Sequence, residues 1–259
     1  MKIDSHLHIN LHNYTVNNLI KYLDANKIDR CWLLSWEDLN PVIPSIYSPL
    51  PIEDILEAFN RFPDRFIPFY APDPKREDLS SQFENFSHFG IKGCGELKVS
   101  YRWDSSEIIN YLNLLSQHNM PLVFHMEYSR EVYFAPNDRL KKIRIEDLLN
   151  GALNGSTREF LKILSRYIEP LRSHIDKHSV YFPGYLLDFT SLEEKLQEYP
   201  NVSFVGHGPH FWNNIAAKVN PYRAHCRGKI KNPGILDSFL EKYDNLYCDI
   251  SGKSGFYGL

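Results

Sequence analysis

Short runs of β-branched and aromatic residues alternate along this chain with longer stretches whose apolar positions recur at helical spacing. The runs near 2–9, 30–35, 66–71, 91–99, 121–126, 202–207 and 246–251 predict strands, and the stretches 16–26, 52–62, 105–119, 192–199 and 235–243 predict helices. Such alternation predicts βαβ units and a parallel sheet, an α/β fold. From 127 to 201 the spacing exceeds what one crossover needs. Within it 143–155 and 156–174 predict helices, while Tyr181-Phe182-Pro183-Gly184-Tyr185 predicts a loop.

Length narrows the architecture. A chain of 259 residues suits a single domain built as a TIM (β/α)8-type barrel. An insertion after a barrel strand lies on the C-terminal face, so the helical insertion at about 127–190 is expected to cap a substrate site; a solvent-facing decoration is the alternative. After the seventh strand only residues 252–259 remain, too few for another helix and strand. The expected barrel therefore lacks its eighth strand and last helix, either as an open sheet or as a shortened copy of a longer chain.

Composition removes other classes. A hydrophobic fraction of 43% without any bilayer-spanning apolar stretch argues against a membrane protein. A net charge of -3 leaves no basic surplus for nucleic acid. Cys31, Cys94, Cys226 and Cys248 are scattered without paired spacing, and the N-terminus enters a strand directly, so reduced core cysteines and a cytoplasmic location are expected. A small-molecule substrate is the expected partner; oligomeric state, a homo-oligomer included, is left open.

The chemistry begins in Lys2-Ile3-Asp4-Ser5-His6-Leu7-His8-Ile9. On a strand, His6 and His8 share a face with Asp4, so two imidazoles can take one divalent ion while Asp4 orients one of them. His125 closes the fifth strand and His207 the sixth, and barrel strand ends converge. His207, before the turn Gly208-Pro209, suits proton transfer; His210 suits substrate contact. In Gly93-Cys94-Gly95-Glu96-Leu97-Lys98, Glu96 and Lys98 share a face. Glu96 can bind or bridge metal, and Lys98 can stabilise negative charge or, carbamylated, bridge two ions; an interior ion pair is the structural alternative. Asp249, sharing a face with Ser251, suits a ligand-orienting or substrate role. Trp36, Trp103 and Trp212 follow strands closely enough to line a pocket mouth, and Arg102 and Arg130 to anchor a carboxylate.

Asp4-Ser5-His6-Leu7-His8, Gly93-Cys94-Gly95-Glu96-Leu97-Lys98, Val123-Phe124-His125, Val205-Gly206-His207-Gly208-Pro209 and Tyr247-Cys248-Asp249-Ile250-Ser251 together resemble the amidohydrolase superfamily. The resemblance is to the amidohydrolase-2 branch with aminocarboxymuconate semialdehyde decarboxylase. It implies that His6, His8 and His125 ligate the metal and that His207 is the neighbouring acid/base. It also implies a further aspartate from an eighth strand, for which this chain has no segment, and Asp249 belongs to the seventh strand's motif instead. The expected function is metal-dependent hydrolysis of a small amide, ester or lactone, with zinc as the first choice and manganese or iron as alternatives. Non-oxidative decarboxylation of an aromatic or unsaturated carboxylic acid is the second expectation, and a truncated or non-catalytic metal-binding barrel the third.

Overall fold

A computed structural model describes residues 1–11, 14–39, 49–133, 179–218, 229–252 and 255. In chain order the elements are β1 (Ile3–Leu7), α1 (Val16–Ala25), β2 (Arg30–Trp36), α2 (Ile52–Arg61), β3 (Phe66–Ala71), α3 (Leu79–Phe86), β4 (Cys94–Leu97), α4 (Ser106–His118) and β5 (Leu122–His125). There follow β6 (Arg130–Tyr133), β7 (Ser179–Phe182), α5 (Phe189–Glu198), β8 (Phe204–His207), α6 (Pro209–Asn213), α7 (Ile235–Lys242) and β9 (Leu246–Cys248). Each strand and helix expected within these residues is present. The helices expected at 143–155 and 156–174 lie outside the described residues. Tyr181 and Phe182 depart from the expected loop, because they extend β7 and pair antiparallel with β6 before Pro183 and Gly184 end the ladder.

Local chemistry sets the element ends. Thr15 and Ser105 cap α1 and α4 by accepting from the backbone N–H of Asn18 and Ile108, and Asp188 caps α5 by accepting from Thr190. Asn119 closes α4 in the left-handed conformation at φ 51°, which asparagine tolerates better than most residues. On α2, Glu53 and Asp54 occupy the first turn and Arg61 the last, matching the helix dipole.

The parallel strands form two ladders, β1-β2-β3 and β4-β5-β8-β9, joined by a bridge between Phe69 and Gly93. The fold is α/β. Among the described residues no ladder pairing joins β9 to β1. Helices cover the outer faces, where the largest apolar cluster gathers Phe83, Leu112, Phe124, Leu192, Phe204 and Phe211. On the inner face Leu34, Phe69, Val123 and Val205 pack together, one each from β2, β3, β5 and β8. Side chains from four strands meeting at one point show that the sheet curls around an interior. Apolar burial of this kind is worth roughly 25 cal/mol per Å².

Two strands depart from a regular ladder. Asp4 and Leu7 of β1 oppose Cys31 and Leu33, and Cys94 and Leu97 of β4 oppose Leu122 and Phe124, so each carries one extra residue. On β4, Gly95 and Glu96 together face the place opposite Val123, while Cys94 and Leu97 both stay in the outer core. Gly95 permits this crowding, since a Cβ there would lie 2.7 Å from Val123 Cβ.

Candidate metal centre

Six strand-end side chains meet above the inner cluster: His6 lies in the irregular stretch of β1 and His8 just beyond the strand, Glu96 sits on β4, His125 and His207 end β5 and β8, and Asp249 follows β9. His125 and His207 are direct partners in the β5–β8 ladder, which sets their imidazoles side by side with centroids 5.2 Å apart.

One nitrogen of each imidazole turns toward the buried Glu96 carboxylate. His8 Nε2 and His6 Nε2 stand 3.3 and 3.6 Å from its Oε2. His125 Nδ1 and His207 Nε2 stand 2.7 and 3.8 Å from its Oε1. The opposite nitrogens are occupied by other groups. His8 Nδ1 donates to Leu34 O at 2.8 Å and His6 Nδ1 donates to Asp249 Oδ2. His207 Nδ1 lies 3.3 Å from Ser251 Oγ, and His125 Nε2 lies 3.3 Å from Glu127 Oε2.

This arrangement tests whether the residues suit a metal ion. The Nε2 atoms of His6 and His8 face each other at 3.0 Å, while Nδ1 of each is engaged by an oxygen. Glu96 Oε2 is buried beside them without an aligned hydrogen bond. Imidazole nitrogens crowded around one buried carboxylate oxygen call for positive charge; the Lys98 ammonium supplies one cation 3.0 Å from Oε2, and nitrogen donors with one carboxylate also suit a divalent transition metal. The donor set therefore fits a divalent metal. Among the described residues three groups satisfy the spacing of shared ligands: His6, His8 and Glu96; His6, His207 and Asp249; Glu96, His125 and His207.

The electrostatics are those of a buried, coupled cluster. Burial opposes ionisation of Glu96, but Lys98, His6 and His125 outweigh it and hold the carboxyl well below its ordinary range. Burial would also lower His6, yet Glu96 and Asp249 raise it to about 9. His125 is raised in the same way by Glu96 and Glu127. His8 is lowered by burial, and His207 is pushed well below its ordinary value by burial and by the neighbouring His6. His207 is thus a neutral base near pH 7, with Nε2 turned inward.

Lys98 joins this group, its Nζ 3.0 Å from Glu96 Oε2 and 3.8 Å above the Trp36 ring centroid. Trp36 in turn meets His8 edge-on with centroids 5.1 Å apart.

Several expectations are corrected. Asp4 does not share the His6 face, because the extra residue in β1 turns it toward α1, where it accepts from Tyr22 OH at 2.9 Å. It holds the His6 backbone N–H at 3.1 Å, and the imidazole is held by Asp249 instead. Trp103 is not at a pocket mouth: it is fully buried against Phe124, with Nε1 donating to Leu186 O. Trp212 is likewise buried and donates to Asp249 O at 2.8 Å, anchoring the backbone of that aspartate. Arg130 pairs with Glu127 at 2.5 Å, and Arg102 with Asp104 and Asp188. His210, expected at substrate contact and not in the cluster, stands at its rim edge-on to Tyr128, and burial lowers its pKa to about 4.

Glu127 is the residue that sequence reasoning passed over. It is buried between His125 and Arg130, and despite the burial these two partners lower its pKa to about 2. Its signal lies in the fold: Glu127 pairs through the backbone with Tyr185, 58 positions along the chain by number, and no strand pattern marks it.

No protein-family profile and no curated protein sequence matches the chain. Solved structures do. A 2,6-dihydroxybenzoate decarboxylase from Rhizobium is similar at TM-score 0.43 and 16% identity over 99% of this chain and 83% of that one. The 4-oxalomesaconate hydratase of Rhodopseudomonas palustris is similar at TM-score 0.46 and 11% identity over 96% and 73%. A chain from Acinetobacter baumannii assigned as a 2-pyrone-4,6-dicarboxylic acid hydrolase gives TM-score 0.36 and 18% identity over 57% and 54%, so the match spans about half of that protein.

Proposed function

We propose that this chain is a metal-dependent hydrolase of the amidohydrolase type, acting on a small polar amide, ester or lactone within one (β/α)8-type domain over 1–259. The observation that carries the reading is the convergence of four imidazole nitrogens on the Glu96 carboxylate. His6, His8 and Glu96 would hold the ion, and His125 stands on the other oxygen of Glu96. Zinc suits the nitrogen-rich set first, with manganese or iron as alternatives. When bound, the ion supplies acidification of a water molecule and polarisation of a substrate carbonyl.

The chain's own groups do the rest. His207, kept neutral by burial, takes a proton at Nε2 and returns it to the leaving group. Asp249 holds His6 in its tautomer and lies 3.7 Å from His207 Nδ1, where it steadies the imidazolium that forms. Lys98 stabilises developing negative charge from beside Glu96. His210 contributes a half-buried imidazole toward substrate contact. No described helix is long and apolar enough to cross a membrane, and a cytoplasmic location is part of the proposal.

Decarboxylation of a carboxylic acid is the second reading, favoured by the Lys98 ammonium, which can receive a substrate carboxylate. The test is metal analysis of the purified chain, then assay of amide, ester and lactone panels alongside carbon dioxide release. Hydrolysis that requires zinc or manganese and disappears in His6→Ala/His8→Ala supports the proposal. Full activity in that double variant, or in chelated protein, sinks it.

A further inference from the structure

The two oxygens of Glu96 have different company. Oε1 faces His125 and His207, whereas Oε2 faces His8, His6 and the Lys98 ammonium. Lys98 Nζ at 3.0 Å is closer to Oε2 than either imidazole nitrogen. It cannot swing away freely, because the ammonium also lies over the face of the buried Trp36 ring, which packs perpendicular to His8. Only 13% of the Lys98 side chain is exposed, so water screens its charge poorly.

Resting on the reading that this cluster holds a divalent ion, we propose that Lys98, seated on Trp36, is a resident cation that competes with that ion for Glu96 Oε2. The ammonium and an ion held by His6, His8 and Glu96 draw on the same lone pairs. They also repel each other where the effective dielectric is low. Lys98 thereby keeps Glu96 ionised and in place, and in return it weakens metal binding. Trp36 acts through Lys98 and is a positioning residue. Loss of a buried cation usually harms a site; here its removal strengthens one property of it, which damage to the fold would not imitate.

The experiment is titration of the full chain with zinc or manganese in competition with a chromophoric chelator. Wild type binding no metal would refute the underlying reading. With metal bound by wild type, Lys98→Met is expected to bind on the order of tenfold more tightly, because the repulsion is gone. Lys98→Arg, which keeps the charge, should stay within about threefold of wild type, and Trp36→Leu should shift in the same direction as Lys98→Met by a smaller factor. Lys98→Gln carries the same expectation if the methionine variant does not fold, and Trp36→Leu provides the arm that leaves Lys98 intact. Affinity equal to or weaker than wild type, in a neutral variant or in Trp36→Leu with native circular dichroism, overturns the proposal.

Discussion

β5 and β8 place their site residues differently from β1 and β4. In the first pair the ladder is regular, residue against residue, and His125 faces His207 as direct partners. In the second pair each strand holds one residue more than its neighbour just where the site begins. The regular pair delivers two imidazoles at adjacent positions. The irregular pair delivers the carboxylate on which all four imidazoles converge and turns a second acid, Asp4, out of the site. Regular pairing sets spacing, while an extra residue selects which side chain reaches the interior.

The comparison breaks most visibly at Glu96. If the irregular strand carries the hub, Glu96→Gln should weaken zinc or manganese binding by roughly a hundredfold or more, against about tenfold for His125→Gln, as measured by chelator competition. Equal losses would place the hub elsewhere. Gly95→Ala comes next: the added Cβ meets Val123 in the packed interior, and a loss of about 1–3 kcal/mol is expected by urea denaturation. An unchanged midpoint would show that β4 has room to relax.

A smaller effect separates the cluster from its rim. His210 is held near pKa 4 when folded, against an ordinary 6.5, so the unfolded chain takes up the proton first. Its contribution is complete above pH 6.5 and is lost as pH falls toward 4, at up to about 1.4 kcal/mol per unit. His210→Phe should flatten the slope of unfolding free energy over that interval, and an unaltered slope would assign it to other groups. Smallest is Asp4→Asn, which keeps an acceptor for the His6 backbone. Metal affinity within twofold of wild type and a stability change under about 0.5 kcal/mol are expected. A large drop in affinity would return Asp4 to the site.

Much of this arrangement is legible in the sequence because period-two alternation holds on each side of an irregularity. His6 with His8, and Glu96 with Lys98, each pair the last residue of an irregular stretch with one just beyond it, and both are readable as pairs. Asp4 lies across the extra residue, so the alternation that joins it to His6 on paper fails in the fold. The helix α3 was unreadable for a different reason: Leu-Ser-Ser-Gln-Phe-Glu-Asn-Phe is short and polar, with Leu79, Phe83 and Phe86 as its buried anchors. The short α6 hides behind Gly208 and Pro209, which read as a turn. Glu127 gains its position from a tertiary contact, with Tyr185 across a bridge, and Trp36, readable at the end of its strand, gains its role from Lys98 above the ring.

The bond between His6 and Asp249 joins groups 243 residues apart. At a ribosomal pace of about 5–20 residues per second, His6 waits roughly 12–50 seconds for the acceptor that fixes its tautomer. The six side chains of the cluster are synthesised in the order His6, His8, Glu96, His125, His207 and Asp249, so the acceptor that fixes His6 arrives last.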